Sequence, residues 1–494
     1  MEDDIYRTRL KTPLKKNVLR FLSSLNDDLW IAEEDIIGTE VHNIMLYEQG
    51  VLNKSEIKLI LGSLEKIKQK LLNNQLKLDQ KFEDIHPLIE KYVIDDIGLE
   101  IGGKIHTGRS RNDQVSVDIR LKIRHELNVL SILLFELFDI LLELSKKTIQ
   151  DFMPLYTHLQ KGQLGVFAHY LNNYNAQILR SLERIEEVYI RINKNPLGAC
   201  AIGGTNIKIN RQRTAELLGF QAVIENSIDA VSSKDYILET LMCLTTISIQ
   251  FSRIAEDLLL WSSKEFDYIE LDDQFCSVSS VMPQKKNPDT IELIRSKSST
   301  VVSNLFTASM IIRGTPTGYF RDFQELKILI KKSFNTLYPI LDMYIGIFST
   351  CKINRDKMKK AIENSYILAL DLAEFLVNEF NIPFRQSHQI VANLVNESQS
   401  PNDFLNKENI EKSIFKIVKK KIVLPENFTE SMRNLNLCLE KRMSQGSPSK
   451  FEVEKTFNIL KKKKNLLYDK FIKRIRLIEK AEEYRKNLIK KLNL

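Results

Sequence analysis

Apolar residues recur along this chain at helical spacing over unusually long stretches. Leu127, Leu130, Leu134, Leu137, Leu141 and Leu144 follow alternating steps of three and four. Leu241, Leu244, Ser248, Phe251, Ala255 and Leu258 repeat the pattern. That period predicts long helices packed nearly parallel in a bundle. The segment Ile291–Ile312 is a third candidate, with apolar residues on more than one face, so it must meet more than one neighbour. The two heptad-like stripes are expected to be buried between subunits. Strand signals are weak throughout. The predicted fold class is all-α, in three mostly helical domains: residues 1–105, a central long-helix bundle at 106–355, and residues 356–494. A last stripe, Leu467, Phe471, Ile475, Ile478, Ala481, Leu488 and Leu492, lies among lysines. It predicts an amphipathic helix laid on its own subunit, forming a basic tail from about residue 465 that is dispensable for any chemistry upstream.

Composition narrows the picture. The chain has 494 residues, 43% of them hydrophobic, with only 17 Gly and 12 Pro, which favours helices over a turn-rich β fold. The net charge is +8, but residues 459–494 hold 13 Lys/Arg and 4 Asp/Glu and carry +9, leaving the rest near neutral. The basic character belongs to the tail, which argues against a nucleic-acid binder. The five cysteines are scattered and form no Cys-x-x-Cys pair, so a reducing, cytoplasmic compartment is expected and neither a disulfide framework nor a zinc site is. The opening Met1-Glu2-Asp3-Asp4 lacks the apolar core of a secretory signal. No apolar run is long enough to span a bilayer.

One loop concentrates candidate chemistry: Ser279-Ser280-Val281-Met282-Pro283-Gln284-Lys285-Lys286-Asn287-Pro288-Asp289. Pro288 is placed to open a helix with Asn287 as its cap. Free N–H groups at that helix start, with Lys285, make an anion site beside a serine hydroxyl.

The loop resembles the signature of the fumarase/aspartase superfamily, and its Gln-Lys-Lys-Asn-Pro-Asp run is similar to the argininosuccinate lyases. Two more blocks agree. Residues 102–114, GGKIHTGRSRNDQ, resemble that family's first block, and residues 153–160, MPLYTHLQ, its second. The likeness spans about Leu22 to about Lys450. It implies cleavage of argininosuccinate to arginine and fumarate, in a homotetramer whose active sites draw blocks from three subunits, with no cofactor. Such chemistry needs a base, a cluster of cations and hydrogen-bond donors, and an acid near the leaving nitrogen.

The resemblance also implies roles. Ser279 matches the family's base, with Ser280 as the alternative. Lys285 and Asn287 match its carboxylate-binding pair, Lys286 being read as a solvated neighbour. His158, one of seven histidines, matches an acid/base residue, and Glu292 the carboxylate that orients it. His86 and His106 are lesser rivals. Arg111, Asn112 and Thr157 match contacts to substrate carboxylates, and Asp84 faces the substrate. Ser24, Asp28, Tyr319, Gln324 and Lys327 match the arginine end. Val278, Leu155, Gly162, Leu164 and Leu326 depart from the usual pattern, which puts loop geometry in question and removes no reacting group. Adenylosuccinate lyase is the nearest alternative, disfavoured by HTGRSRNDQ. A silent lens-crystallin-like protein is another, disfavoured by the retained Ser279, Lys285, Asn287, His158 and Glu292.

Overall fold

The computed structural model describes Arg9, residues 12–401 and residues 403–493. The N-terminal residues read against a secretory signal lie outside them. The longer helices are α1 (Ala32–Glu48), α2 (Lys54–Leu72), α3 (Ile85–Ile97), α4 (Arg111–Lys147), α5 (Phe167–Ile192), α6 (Asp235–Ser262), α7 (Asp289–Arg313), α8 (Gln324–Thr350), α9 (Ala369–Phe380), α10 (Phe384–Glu397), α11 (Lys407–Val418) and α12 (Lys450–Asn493). The strands among the described residues form two-stranded sheets only.

Helices α4 to α8 make the central bundle. The leucine stripe of α4 accounts for its packing: Leu127, Leu130, Leu134, Leu137 and Leu141 are all buried against α5, α6 and α8 within the same chain. The stripe of α6 behaves alike. Both therefore supply a subunit's own core rather than a contact between subunits. What α6 and α7 leave exposed is different: Met242 and Ile249, and Leu293, Val302, Phe306 and Met310.

The bundle helices alternate in direction, as their cross-links show. Arg120 near the start of α4 donates to the carbonyls of Arg191 and Ile192 at the end of α5. The same guanidinium covers the ring of Tyr236 at the start of α6. Late in α6, Glu256 pairs with Arg295 of α7 at 2.6 Å. Phe251, earlier in α6, accepts from Tyr344 of α8 through its carbonyl. One end of the bundle thus gathers the starts of α4, α6 and α8. The other gathers their ends and the start of α7. Helix α4 has 37 residues, so the two ends lie about 55 Å apart.

A second hydrophobic cluster joins α1, α2 and α3 with Leu197, Ala215, Leu217 and Phe220 at the first end. A third joins α9, α10 and α11 with Leu164 and Val166 at the far end. Helix α12 touches all three: Val453 lies in the third, Leu460, Leu467 and Phe471 in the bundle, and Leu488, Ile489 and Leu492 pack on the second. Its polar residues also lock in. Arg474 pairs with Glu186, and Arg485 with Glu40 at 3.8 Å. The Tyr484 hydroxyl accepts from Arg213 at 3.1 Å. Sequence pattern placed a helix here on its own subunit. The structure makes it a 44-residue strap rather than an appended tail.

Candidate active site

One group of candidates lies at the first end. Ser24, Asp84, Arg111, Tyr319, Gln324 and Lys327 line one cleft there, together with His86, Lys234 and Phe323. Asp28 lies in its wall. The buried Asp28 carboxylate accepts from Ser24 Oγ at 2.8 Å and from the backbone N–H of Ile85 at 3.3 Å, and pairs with the buried Lys327 ammonium. Asp84 caps α3 by accepting from His86 N–H at 3.1 Å, and its other oxygen meets Arg111 at 2.9 Å. Gln324 Nε2 donates to the Leu22 carbonyl at 3.3 Å. Burial and the nearby Asp84 charge push the Tyr319 phenol up to about 12, so it is a hydrogen-bonding hydroxyl at neutral pH.

Arg111 and Asn112 owe their places to the start of α4. Ser110 and Asp113 form a reciprocal cap, with Ser110 N–H donating to Asp113 at 2.9 Å. Asp113 also accepts from the N–H groups of Gly198 and Cys200 at 2.8 and 2.9 Å. Asn112 donates to the Ala201 carbonyl at 2.9 Å. The cap thus fixes the helix start and the loop facing it together.

Behind the cleft sits a buried polar group that the sequence reading missed. Asp35, His86 and Asp118 face one another with no exposure of the carboxylates. His86 Nδ1 is 3.1 Å from Asp35 and 3.7 Å from Asp118. Burial opposes the Asp35 charge, but His86, Arg109 and the Gln114 amide outweigh it and hold that carboxyl below its usual range. Burial and the Asp35 charge drive Asp118 well above. The two carboxyls are thus driven in opposite directions, and the set is suited to anchoring His86. Asp35 sits in an acidic helix start that reads as solvated, so sequence carried little signal for it. Lys234 was missed too: a lone lysine in Ser-Ser-Lys-Asp-Tyr forms no pattern.

At the far end the candidates are held differently. Residues 152–166 form a β-hairpin, Phe152–Thr157 pairing antiparallel with Gln160–Val166. His158 and Leu159 form its two-residue turn, both left-handed at φ 54° and 57°. Thr157 pairs with Gln160, so the histidine stands at an exposed tip. The unusual Leu155 lies over Gly165 on the facing strand, where any Cβ would collide with it.

The serine loop hangs between two short paired strands, Ser277–Val278 and Lys286–Asn287. Val278 is extended and exposed there, so this β-branched residue needs no left-handed backbone. Ser279 Oγ accepts from Met282 N–H at 3.0 Å and Val281 N–H at 3.3 Å. Asn287 pairs with Ser277 instead of capping α7. Pro288 holds the cap position and Asp289 begins the helix, with Asp289 accepting from Ser277 Oγ. A proline fixed near φ −84° can supply the turn itself, which displaces the cap by one residue. Lys286 is not a loose neighbour: it pairs with Asp273 at 2.6 Å and donates to the Leu271 carbonyl at 2.5 Å. Lys285 and Glu292 are exposed, and Ser279 is half-buried. Phe275, which precedes this loop, packs where Gly346 of α8 leaves room.

The structure therefore brings the arginine-end candidates, Arg111 and Asp84 into one cleft, with Asn112 beside it. It places Thr157, His158, Ser279, Lys285, Asn287 and Glu292 at the opposite end of the same subunit.

A family model described as lyase matches residues 9–303, and one described as argininosuccinate lyase C-terminal matches residues 366–429. The chain is 43% identical to an argininosuccinate lyase of Nitrosopumilus maritimus, over 83% of this chain and 84% of that one. It is 38% identical to one from Methanocaldococcus jannaschii, over 97% and 98%. Among solved structures, an EDDS lyase in complex with formate superposes with a TM-score of 0.85, at 23% identity, over 97% of this chain and 95% of that chain. A class II fumarase from Schistosoma mansoni gives 0.70, at 16% identity, over 86% and 96%.

Proposed function

The chain belongs to the argininosuccinate lyase family, and on that premise we propose that its active site is completed only between copies of the chain. The reaction is the reversible cleavage of argininosuccinate to arginine and fumarate, the closing step of arginine synthesis, and the chain is a carbon–nitrogen lyase. The assembly reading rests on one observation. The two sets of candidate residues sit at opposite ends of a bundle about 55 Å long, too far apart to serve one substrate. A second copy running antiparallel brings an exposed loop and an exposed hairpin to the cleft of the first. The apolar stripe of Val302, Phe306 and Met310 on α7 supports such packing, because a lone subunit would leave it in water. The assembly is read as a cytoplasmic homotetramer.

Within that site Ser279 takes the proton from the carbon beside a substrate carboxylate. The electron pair drains into that carboxylate, which becomes a doubly charged aci-acid. Lys285, Asn287, Arg111, Asn112 and Thr157 stabilise that charge where it develops. The pair then returns to form the carbon–carbon double bond as the carbon–nitrogen bond breaks. His158, oriented by Glu292, exchanges protons at the reacting centre. Ser24, Asp28, Tyr319, Gln324 and Lys327 hold the arginine end, and Asp84 positions Arg111. A serine is a weak base, so its activation falls to the helix start and Lys285.

The direct test follows fumarate absorbance with purified protein and argininosuccinate; no fumarate sinks the activity. The shared-site reading is tested by mixing. Ser279→Ala and Arg111→Met are each expected to be dead alone. Allowed to exchange subunits, they should regain measurable turnover, since some sites then draw both intact residues. Hybrids that form but stay inactive would mean that each chain carries its own site.

A further inference from the structure

The cleft at the first end holds three cationic side chains. Two already face carboxylates of the chain: Arg111 meets Asp84, and Lys327 meets Asp28. The third, Lys234, makes no ion pair among the described residues. It is buried yet lines the cleft. Its ammonium donates to the carbonyls of Val231 at 2.6 Å and Ser233 at 3.3 Å, beside the end of the short helix Ser227–Ser232. It stands 4.7 Å from the centre of the Phe323 ring. An ammonium has three donors, and the two carbonyls take two of them.

Burying a cation without a counter-charge is costly, and the group responds by losing its proton more readily. Burial, helped by the neighbouring Arg120 charge, pulls Lys234 down to about 7, although Asp235 and Asp229 act the other way. Such a group is poised for an anion. A carboxylate entering the cleft would supply the missing counter-charge and accept the spare N–H.

The rest of the cleft says which anion fits. Ser24 and Asp84 offer acceptors suited to an ammonium group, while Tyr319, Gln324 and Lys234 offer donors. A zwitterionic amino-acid head matches that division. We propose that Lys234 binds the α-carboxylate at the arginine end of the substrate and is the residue by which the site distinguishes an amino acid from the corresponding amine. This rests on the argininosuccinate lyase reading for its choice of ligand.

The experiment uses the assembled enzyme and two probes, L-arginine and agmatine, which is arginine without its carboxylate. Their affinities are measured by titration calorimetry on wild type, Lys234→Met and Lys234→Arg. A lost charged hydrogen bond is worth about 1.5–3 kcal/mol, or roughly 10–150-fold in affinity. Lys234→Met is expected to weaken arginine by that factor and agmatine by less than about threefold. Lys234→Arg should restore most of the arginine binding. If Lys234→Met weakens both probes equally, Lys234 is a strut beneath Phe323 and the proposal falls. It falls equally if neither probe changes, or if wild type binds the two alike. Should Lys234→Met not assemble, Lys234→Gln repeats the test with the charge removed and hydrogen bonding kept. Failure of the parent reading looks different: wild type would release no fumarate from argininosuccinate, while the arginine–agmatine difference would still decide the role of Lys234.

Discussion

The two ends of the bundle hold their chemistry by different means. At the cleft end, side chains hold one another: Asp28 is shut in by Ser24, Lys327 and the Ile85 N–H, and Arg111 is tied to Asp84. At the far end, backbone does the holding: His158 rides a left-handed turn, and Ser279 is fixed by two amide N–H groups. Groups that are complete within one chain can be locked by ion pairs in a buried wall. On the proposed shared-site reading, groups that reach into another chain cannot be walled in by their own, so only their own loop shapes them.

The sharpest way to break this contrast is at the exposed end. Ser279→Ala should lower turnover by at least ~10²–10⁴ while substrate binding changes much less, because a positioned base acts mainly as the proton moves. Ser280→Ala is the matched control and should be milder. A dead Ser280→Ala beside an active Ser279→Ala would shift the assignment by one residue. If both are active, His158 becomes the base to test.

The locked end should respond through stability as well as binding. Lys327→Met leaves Asp28 buried without its cation, a change that typically costs about 3–5 kcal/mol. The expected result is a lower melting temperature together with a raised KM. Adding Asp28→Asn should recover much of the melting temperature and none of the KM. Recovery of both would make the pair structural only.

Next comes the apolar stripe. Phe306→Asp puts a charge on the exposed face of α7. It should shift light scattering toward smaller particles and reduce activity in step with the loss of assembly. An intact, fully active assembly would remove that stripe from the interface. The smallest effect belongs to the hairpin tip. Leu159 holds a left-handed backbone that glycine adopts without penalty. Leu159→Gly should change stability by no more than about 1 kcal/mol, in the stabilising direction, with turnover nearly unchanged. A collapse of turnover would show that the leucine itself touches the neighbouring site.

How much of this was legible in the sequence depended on how local each signal was. The helices of the bundle followed from their spacing, because burial on one face needs only near neighbours. The direction of that burial did not follow, since the period of Leu127–Leu144 is the same whether the partner helix belongs to the same chain or another. The hairpin at residues 152–166 hid behind Pro154 and a His-Leu turn, where the usual Asn-Gly signal is absent. The candidate residues were recognised by resemblance, block by block. Their separation to opposite ends required the up-and-down order of five helices. Lys234 and the Asp35–His86–Asp118 group were illegible because their importance comes from burial, which no short motif encodes.

Helix α12 has a temporal consequence. Chains emerge N-terminus first, and early domains tend to fold as they appear. Yet the surface of the α1–α3 domain is covered by Leu488, Ile489 and Leu492, which are made long after it. Its side chains wait for that cover until α12 has emerged. Until then the growing chain carries three hydrophobic clusters that no single element spans together. The 44 residues of α12 then join all three in one stroke, so maturation should appear as a late, concerted gain of protease resistance rather than a gradual one.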